Sequence, residues 1–197
     1  MLPVHIMVDN ETLSCRPNAH ILSTGLVHFN PETFEPISQK LINIDPTRRQ
    51  PGADIDPGTA QWWINQAKEA QQAAFYPEKS EYIQVACSQV WRYIVDACRE
   101  TWQEDAMPTI SDMQHTVNLW AMPPSFDISK WEHAFSQSGL PMPWDHYHVN
   151  DVRTLINEAR RRGFKRESAV RTGIHHPVSD CLYQIELLKA ITVFNQQ

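Results

Sequence analysis

Residues 4–11 read VHIMVDNE, an apolar run that ends in two carboxylates. The apolar part of this run has the length and composition of a buried strand. Side chains two positions apart in a strand point to the same face, so Asp9 and Glu11 converge while Asn10 points away. Two ionised carboxylates held together beside a core repel each other and lose hydration, which costs several kcal/mol. A divalent cation would offset that cost, so the pair predicts a metal site.

Two further acids and a histidine, namely Asp127, Asp180 and His175, can join that pair. Asp127 follows the fourth predicted strand, and Asp180 falls in the first turn of the last predicted helix. Ligands gather at strand ends and at helix N-termini, so both acids can reach Asp9 and Glu11. Oxygen-only ligands favour Mg²⁺ or Mn²⁺, and two such ions roughly 3.5–4 Å apart can hydrolyse a phosphodiester. His175 is the candidate general base.

The hydropathy pattern predicts an α/β fold, with α+β as the alternative, in which helices pack on the faces of one mixed sheet. Three strand-like runs come first, and their short connections favour an antiparallel meander. Helices then alternate with short strands. The predicted strands cover 4–9, 21–29, 37–44, 117–121 and 148–150, and the predicted helices cover 57–76, 80–103, 126–136, 152–161 and 177 onwards. The first of these helices is expected to bury Trp62, Trp63, Ala67 and Ala70.

The length of 197 residues is sufficient for one well-cored domain, which we expect to cover residues 1–197. No apolar run reaches the roughly 18 residues of a membrane helix, and the N-terminus lacks the pattern of a secretory signal. The scattered cysteines are expected to be reduced core thiols, which favours a cytoplasmic protein. They are Cys15, Cys87, Cys98 and Cys181.

The net charge of −6 argues against a protein that coats nucleic acid non-specifically, because such proteins need a broad basic surface. Six of the 17 Lys and Arg residues nevertheless fall between 160 and 171, just before His175. Cations are also favoured at a helix C-terminus, so a solvated helix end would explain the cluster equally well. Its position beside His175 favours phosphate binding, and Arg171 is the candidate substrate contact.

The acids and the histidine form three ordered motifs that resemble the signature of the DEDDh 3′–5′ exonucleases: Asp9-x-Glu11-Thr12, Ser125-Phe126-Asp127 and His175-x-x-x-x-Asp180. Two further motifs resemble the branch that contains the short mycobacterial-type exoribonucleases and exonuclease A of T-even phages: Trp62-Trp63 with Gln66, and Asp151-Val152-Arg153-Thr154. The resemblance covers nearly the whole chain. It implies a ribonuclease H-like fold, is compatible with a phage origin, and suggests a homodimer, since relatives often form one.

The resemblance also implies a two-metal hydrolysis that releases nucleoside 5′-monophosphates from the 3′ end of single-stranded RNA or DNA. Asp9, Glu11 and Asp180 would hold the ion that binds the attacking water. Asp9 and Asp127 would serve the second ion, and His175 would take the proton from the nucleophile.

Three more positions match substrate contacts of the family. Thr12 and Leu13 would touch the terminal nucleotide, through backbone contacts and by wedging against the base. Phe126 would stack on a base or pack in the protein.

Some residues depart from the family pattern. Asn10 stands where an apolar residue is commoner, which predicts that the first strand ends early. Pro177 stands where the family usually has a small residue, and Met122-Pro123-Pro124 replaces a segment that is commonly rich in Gly and Asn. A non-catalytic or weakly active nucleic-acid-binding module of the same fold is therefore the alternative function. A phosphodiesterase for small nucleotides is a third.

Several residues near the motifs have structural explanations. Asp151 is expected to cap a helix, His176 is expected to cap a helix or to face solvent, and at least one residue of the Trp62-Trp63 pair is expected to be structural. His146 and His148 have no cysteine close by, so they do not predict a zinc site.

Overall fold

A mixed sheet of five strands organises the chain, whose computed structural model describes residues 1–166 and 175–196. The strand order is β3-β2-β1-β4-β5, with antiparallel β1–β2 and β2–β3 pairs and parallel β1–β4 and β4–β5 pairs. The predicted mixed sheet that begins with a meander is therefore confirmed. The strands are β1 (Val4–Thr12), β2 (Ile21–Phe29), β3 (Pro36–Asn43), β4 (Val117–Ala121) and β5 (Val149–Asp151).

Seven α-helices and one short 3₁₀ helix (His146–His148) are found in the described part of the chain. None of these helices is both long enough and apolar enough to cross a membrane. The α-helices are α1 (Pro57–Ile64), α2 (Lys68–Phe75), α3 (Ile83–Trp102), α4 (Ile110–Thr116), α5 (Pro124–Ser138), α6 (Val152–Arg161) and α7 (Pro177–Asn195).

The prediction of one helix over 57–76 was wrong, because two separate helices, α1 and α2, form there instead. The Gln71 side-chain amide donates to the backbone carbonyl oxygens of Ile64 and Gln66, at 3.1 and 2.8 Å. It thus supplies hydrogen bonds to carbonyls that an interrupted helix leaves without their usual backbone partners. Trp63 and Ala70 are buried as predicted, but Trp62 is 43% exposed.

Ala67, which was also expected to be buried, is exposed.

Helix α4 was not predicted, since only seven residues form it, although Thr109 and Asp112 make a capping box at its start. The four cysteines are free, but Cys15 is exposed rather than in the core.

The central strand β1 is covered on both faces. Val4, Ile6 and Val8 contribute to a core with α3 and α5, whereas Met7 contributes to a second core with α6 and α7. Asp9 and Glu11 follow Met7 at intervals of two residues, so their side chains lie on the α7 face of the sheet.

A half-buried histidine, His5, ties β1 to β4. The indole N–H of Trp120 donates to Nδ1 of His5 at 3.0 Å, which requires that nitrogen to be unprotonated. Burial, together with the charge of His28, lowers the pKa of His5 from 6.5 to about 4.

Acid should therefore destabilise the fold through His5. Because the folded pKa is lowered, the unfolded chain binds more protons between pH 6.5 and 4, and the free energy of unfolding falls as the pH falls through that window. The loss amounts to at most about 3 kcal/mol. His5→Asn keeps an acceptor for Trp120 and removes the titration, so urea denaturation should show a shallower decline between pH 6.5 and 4. Equal declines in the wild type and the variant would contradict this assignment.

Candidate active site and metal centre

Three carboxylates meet where β1 ends and α7 begins. One oxygen from each of Asp9, Glu11 and Asp180 lies within 4.8 Å of the other two. Glu11 and Asp180 are only 8% and 6% exposed, so little water reaches their charges. The predicted convergence of the first acid pair with the acid of the last helix is therefore what the structure shows.

The electrostatics of this group favour a cation. Burial raises the pKa of Asp9 well above 3.8, and the charges of Asp127, Glu11 and Asp180 raise it further. The Gln184 side-chain amide donates to Asp9 Oδ1 at 2.8 Å and acts in the opposite direction. All the donor atoms are carboxylate oxygens, which fit a hard divalent cation such as Mg²⁺ or Mn²⁺.

Asp127 lies beside this group rather than in it. It occupies the first turn of α5 and reaches β1 beyond the end of the parallel strand β4. There Asp127 Oδ1 accepts the backbone N–H of Asn10 at 2.9 Å, and the Asn10 side-chain amide donates to the Asp127 backbone oxygen at 2.9 Å. Burial raises the pKa of Asp127 to about 7, although the Asn10 hydrogen bond and the Lys130 charge oppose the shift.

Asn10 was missed as a site residue by the sequence analysis. The strand does not end early there, because β1 continues to Thr12. The Trp131 indole N–H donates to Asn10 Oδ1 at 3.0 Å, so this buried side chain locks α5 to β1. The available signal was an amide within a buried strand, where asparagine is unfavourable unless it has partners.

Gly25 lets α7 approach the sheet closely enough for Asp180 to join the group. It lies opposite Asp9 in the β1–β2 register, on the face that α7 covers. A Cβ atom at this position would come within 2.6 Å of three backbone atoms of Pro177 and Val178. The absence of a side chain at Gly25 therefore sets the position of the first turn of α7.

His175 stands at the entrance to α7 and faces the acids. Its Nδ1 lies 3.7 Å from Glu11 Oε1, and its side chain is 25% exposed. Its ring meets Trp62 edge to face, with centroids 4.9 Å apart. The φ angle of 59° is unusual for a non-glycine residue, and such strain is concentrated at functional sites.

The two tryptophans of the Trp62-Trp63 pair have different roles, and the structural one is Trp63. Trp63 is 1% exposed and its indole N–H donates to the Thr12 backbone oxygen at 2.9 Å, which fixes α1 to the end of β1. Trp62, beside it, is left facing a cleft. The expected caps are also present: Asp151 accepts from the Arg153 backbone N–H, and His176 caps α7.

The acids open into a cleft of about 520 Å³, within the roughly 300–1,000 Å³ range of ligand sites. Of the predicted substrate contacts, Thr12 and Phe126 line it. Leu13 packs instead with Leu22 and Trp63, so its predicted nucleotide contact stays a prediction. Arg171 lies outside the described residues. The cleft lining includes Asp9, Glu11, Thr12, Trp62, Phe126, Arg166, His175, Asp180, Tyr183 and Gln184.

Arg166 is the member of the basic cluster that reaches this cleft within the described part of the chain. Its guanidinium donates to the Tyr183 hydroxyl at 3.0 Å and lies 5.4 Å from the centroid of that ring. Arg161 and Arg162 make other contacts, with Glu158 and Asn195. The sequence identified the cluster but could not single out Arg166.

Comparison with known proteins identifies the family. A family model described as the 3′–5′ exoribonuclease Rv2179c-like domain matches residues 4–192. The chain belongs to this family. The predicted DEDDh superfamily is confirmed, and the description of the family agrees with the predicted enzyme class, a 3′–5′ exonuclease. No curated protein gave a significant match.

Solved structures of exonuclease I share the ribonuclease H-like fold of this chain. E. coli exonuclease I in complex with a dA16 oligonucleotide gives a TM-score of 0.65 at 14% identity, over 97% of this chain and 41% of that one. The zinc-bound E. coli complex with single-stranded DNA gives 0.61 at 14%, over 100% and 41%. A product-bound exonuclease I gives 0.63 at 13%, over 100% and 46%. The chain thus spans less than half of these exonuclease I chains.

Replacing Gly25 should separate Asp180 from Asp9. In Gly25→Ala the added methyl group pushes on the backbone of α7, so we expect a stability loss of about 1–3 kcal/mol and weaker Mn²⁺ binding. Leu26→Ala is the matched control, because Leu26 packs on the opposite face of β2. It should destabilise the protein by about 2–5 kcal/mol without weakening Mn²⁺ binding. Isothermal titration of both variants at a temperature where they are folded makes the comparison, and unchanged affinity in Gly25→Ala would refute the role of this glycine.

Proposed function

We propose that the chain hydrolyses single-stranded RNA from its 3′ end and releases nucleoside 5′-monophosphates, using two Mg²⁺ or Mn²⁺ ions. The observation that carries the proposal is the convergence of Asp9, Glu11 and Asp180 with His175 in one cleft. The family description supports RNA as the substrate. We further propose that residues 1–197 act as one catalytic domain.

The carboxylates would hold the metal ions. Asp9, Glu11 and Asp180 are close enough to share one cation, and Asp127, whose charge acts on Asp9, would serve the second together with Asp9. Bound divalent ions supply an activated water and neutralise charge that develops on the phosphodiester. The fixed strand and helix ends on which these acids stand keep the carboxylates in place before substrate arrives.

His175 would act as the general base. A water that attacks the phosphorus loses a proton, and the imidazole of His175 is the described titratable nitrogen that faces the acids. Glu11 lies beside Nδ1, so its negative charge stabilises the imidazolium that forms when the ring takes the proton. The contact with Trp62 holds the ring on its other side.

The remaining cleft residues suit a nucleotide. Trp62 offers an exposed aromatic surface next to His175, and base stacking on such a surface is worth about 1–3 kcal/mol for any base. Phe126 also lines the cleft, with the Lys130 ammonium 3.4 Å from its ring centroid. Arg166 brings a positive charge into a cleft that is otherwise acidic, and its guanidinium can pair with a backbone phosphate.

Stacking of a base on Trp62 requires an unpaired base, which supports a single-stranded substrate. The homodimer, the cytoplasmic location and the phage origin expected from the sequence stay predictions.

A 5′-labelled oligoribonucleotide incubated with the protein and Mg²⁺ or Mn²⁺ should shorten stepwise from its 3′ end. Denaturing electrophoresis would display the ladder, and chromatography would identify nucleoside 5′-monophosphates as products. EDTA should stop the reaction. Full-length substrate that persists with either metal would contradict the proposal, and faster shortening of a matched oligodeoxyribonucleotide would assign the activity to DNA instead.

His175→Asn tests the general base in the same assay. Asparagine tolerates the left-handed backbone at this position, so the fold should be preserved while kcat falls roughly 10²- to 10⁴-fold. His176→Asn is the matched control, since asparagine is also a good N-cap for α7, and it should retain activity. Equal activities of the two variants would remove His175 from the mechanism.

A further inference from the structure

Gln184 is a buried polar residue of the cleft that no step of the proposed reaction uses. It lies on α7, one turn after Asp180, and is only 2% exposed. Its side-chain N–H donates to Asp9 Oδ1 at 2.8 Å. Its carbonyl oxygen Oε1 is buried and has no hydrogen-bond partner among the described residues.

The orientation of the Gln184 amide follows from its neighbour. An ionised carboxylate only accepts hydrogen bonds, so the NH₂ end of the amide must face Asp9. Turning the amide over would place Gln184 Oε1 against Asp9 Oδ1, and neither of these acceptors can donate to the other. The Gln184 carbonyl oxygen would then still be buried without a hydrogen-bond donor. Buried acceptors without partners are rare because they lose hydration without compensation. The free oxygen therefore points to a missing donor.

We propose that Gln184 is a positioning residue of the metal centre. Its N–H fixes the Asp9 carboxylate for the cation, and its Oε1 accepts a hydrogen bond from a water molecule that enters with the hydrated ion. Helix α7 then supplies both a ligand, Asp180, and the group that orients a second ligand on β1. This inference depends on the proposed function, since it requires a cation at the three acids.

Outer residues that orient metal ligands typically change metal affinity by about 10- to 100-fold when they are removed. Gln184→Met keeps the length of the side chain and its burial but removes both hydrogen-bonding groups. A residue that only fills space would tolerate this exchange with unchanged metal binding. A positioning residue would not, and its loss should be overcome by a higher metal concentration.

Isothermal titration with Mn²⁺ gives a readout that is independent of activity. We expect Kd to rise about 10- to 100-fold in Gln184→Met and to stay at the wild-type value in Gln84→Met, which changes an exposed glutamine on α3. In the oligonucleotide assay, the activity of Gln184→Met should recover towards the wild-type value at saturating Mn²⁺, with KM for the oligonucleotide unchanged.

The outcomes separate the two proposals. Equal Mn²⁺ affinity in the wild type and in folded Gln184→Met overturns the positioning role and leaves the metal centre in place. A wild type that does not bind Mn²⁺ overturns the metal centre itself, and with it the proposed function. If circular dichroism shows that Gln184→Met is unfolded, Gln184→Asn retains a polar amide but is one methylene too short to reach Asp9, and the same loss of affinity is expected.

Discussion

Repulsion among buried carboxylates is the constraint around which this structure is built. Asp9, Glu11 and Asp180 are held within a few ångströms of one another at the end of β1, where burial removes most of their hydration. In the absence of a cation, the direct consequence of this burial and repulsion is a raised pKa for Asp9. The chain accepts this cost because the acids stand on rigid elements, a central strand and a helix N-terminus, that cannot move apart without exposing the core.

Neutral residues next to the acids hold this arrangement together. Gly25 allows α7 to lie directly on the sheet, so that Asp180 reaches the end of β1. Asn10 uses its backbone and side chain to attach Asp127 at a point where β1 still pairs with β2 but no longer with β4. Trp63 fixes α1 to Thr12, which leaves Trp62 beside the cleft. The acids define the chemistry, and these contacts define the geometry in which it can occur.

The sequence predicted the sheet, most helices and the convergence of the acids, because these depend on periodic apolar patterns and on ordered motifs. It could not predict the break between α1 and α2, since that depends on how Gln71 satisfies carbonyls in three dimensions. Single side chains with long-range partners were also inaccessible. Asn10 was expected to end the strand early, but its side chain joins β1 to α5 through Trp131. Arg166 is distinguished from its basic neighbours by its contact with Tyr183, which the sequence does not reveal.

Thermal denaturation of Asp9→Asn tests the central claim most directly. Because burial and neighbouring charges raise the pKa of Asp9, the contribution of Asp9 to the stability of the metal-free protein falls as the pH rises above about 4, and removing this charge should relieve the repulsion. At pH 8 without metal we expect Asp9→Asn to melt a few degrees above the wild type, roughly 2–4 °C for each kcal/mol, and to gain little from Mn²⁺. Asp105→Asn, which alters a fully exposed acid, should match the wild type with and without Mn²⁺. A lower metal-free melting temperature for Asp9→Asn, together with an undiminished Mn²⁺ shift, would contradict the account.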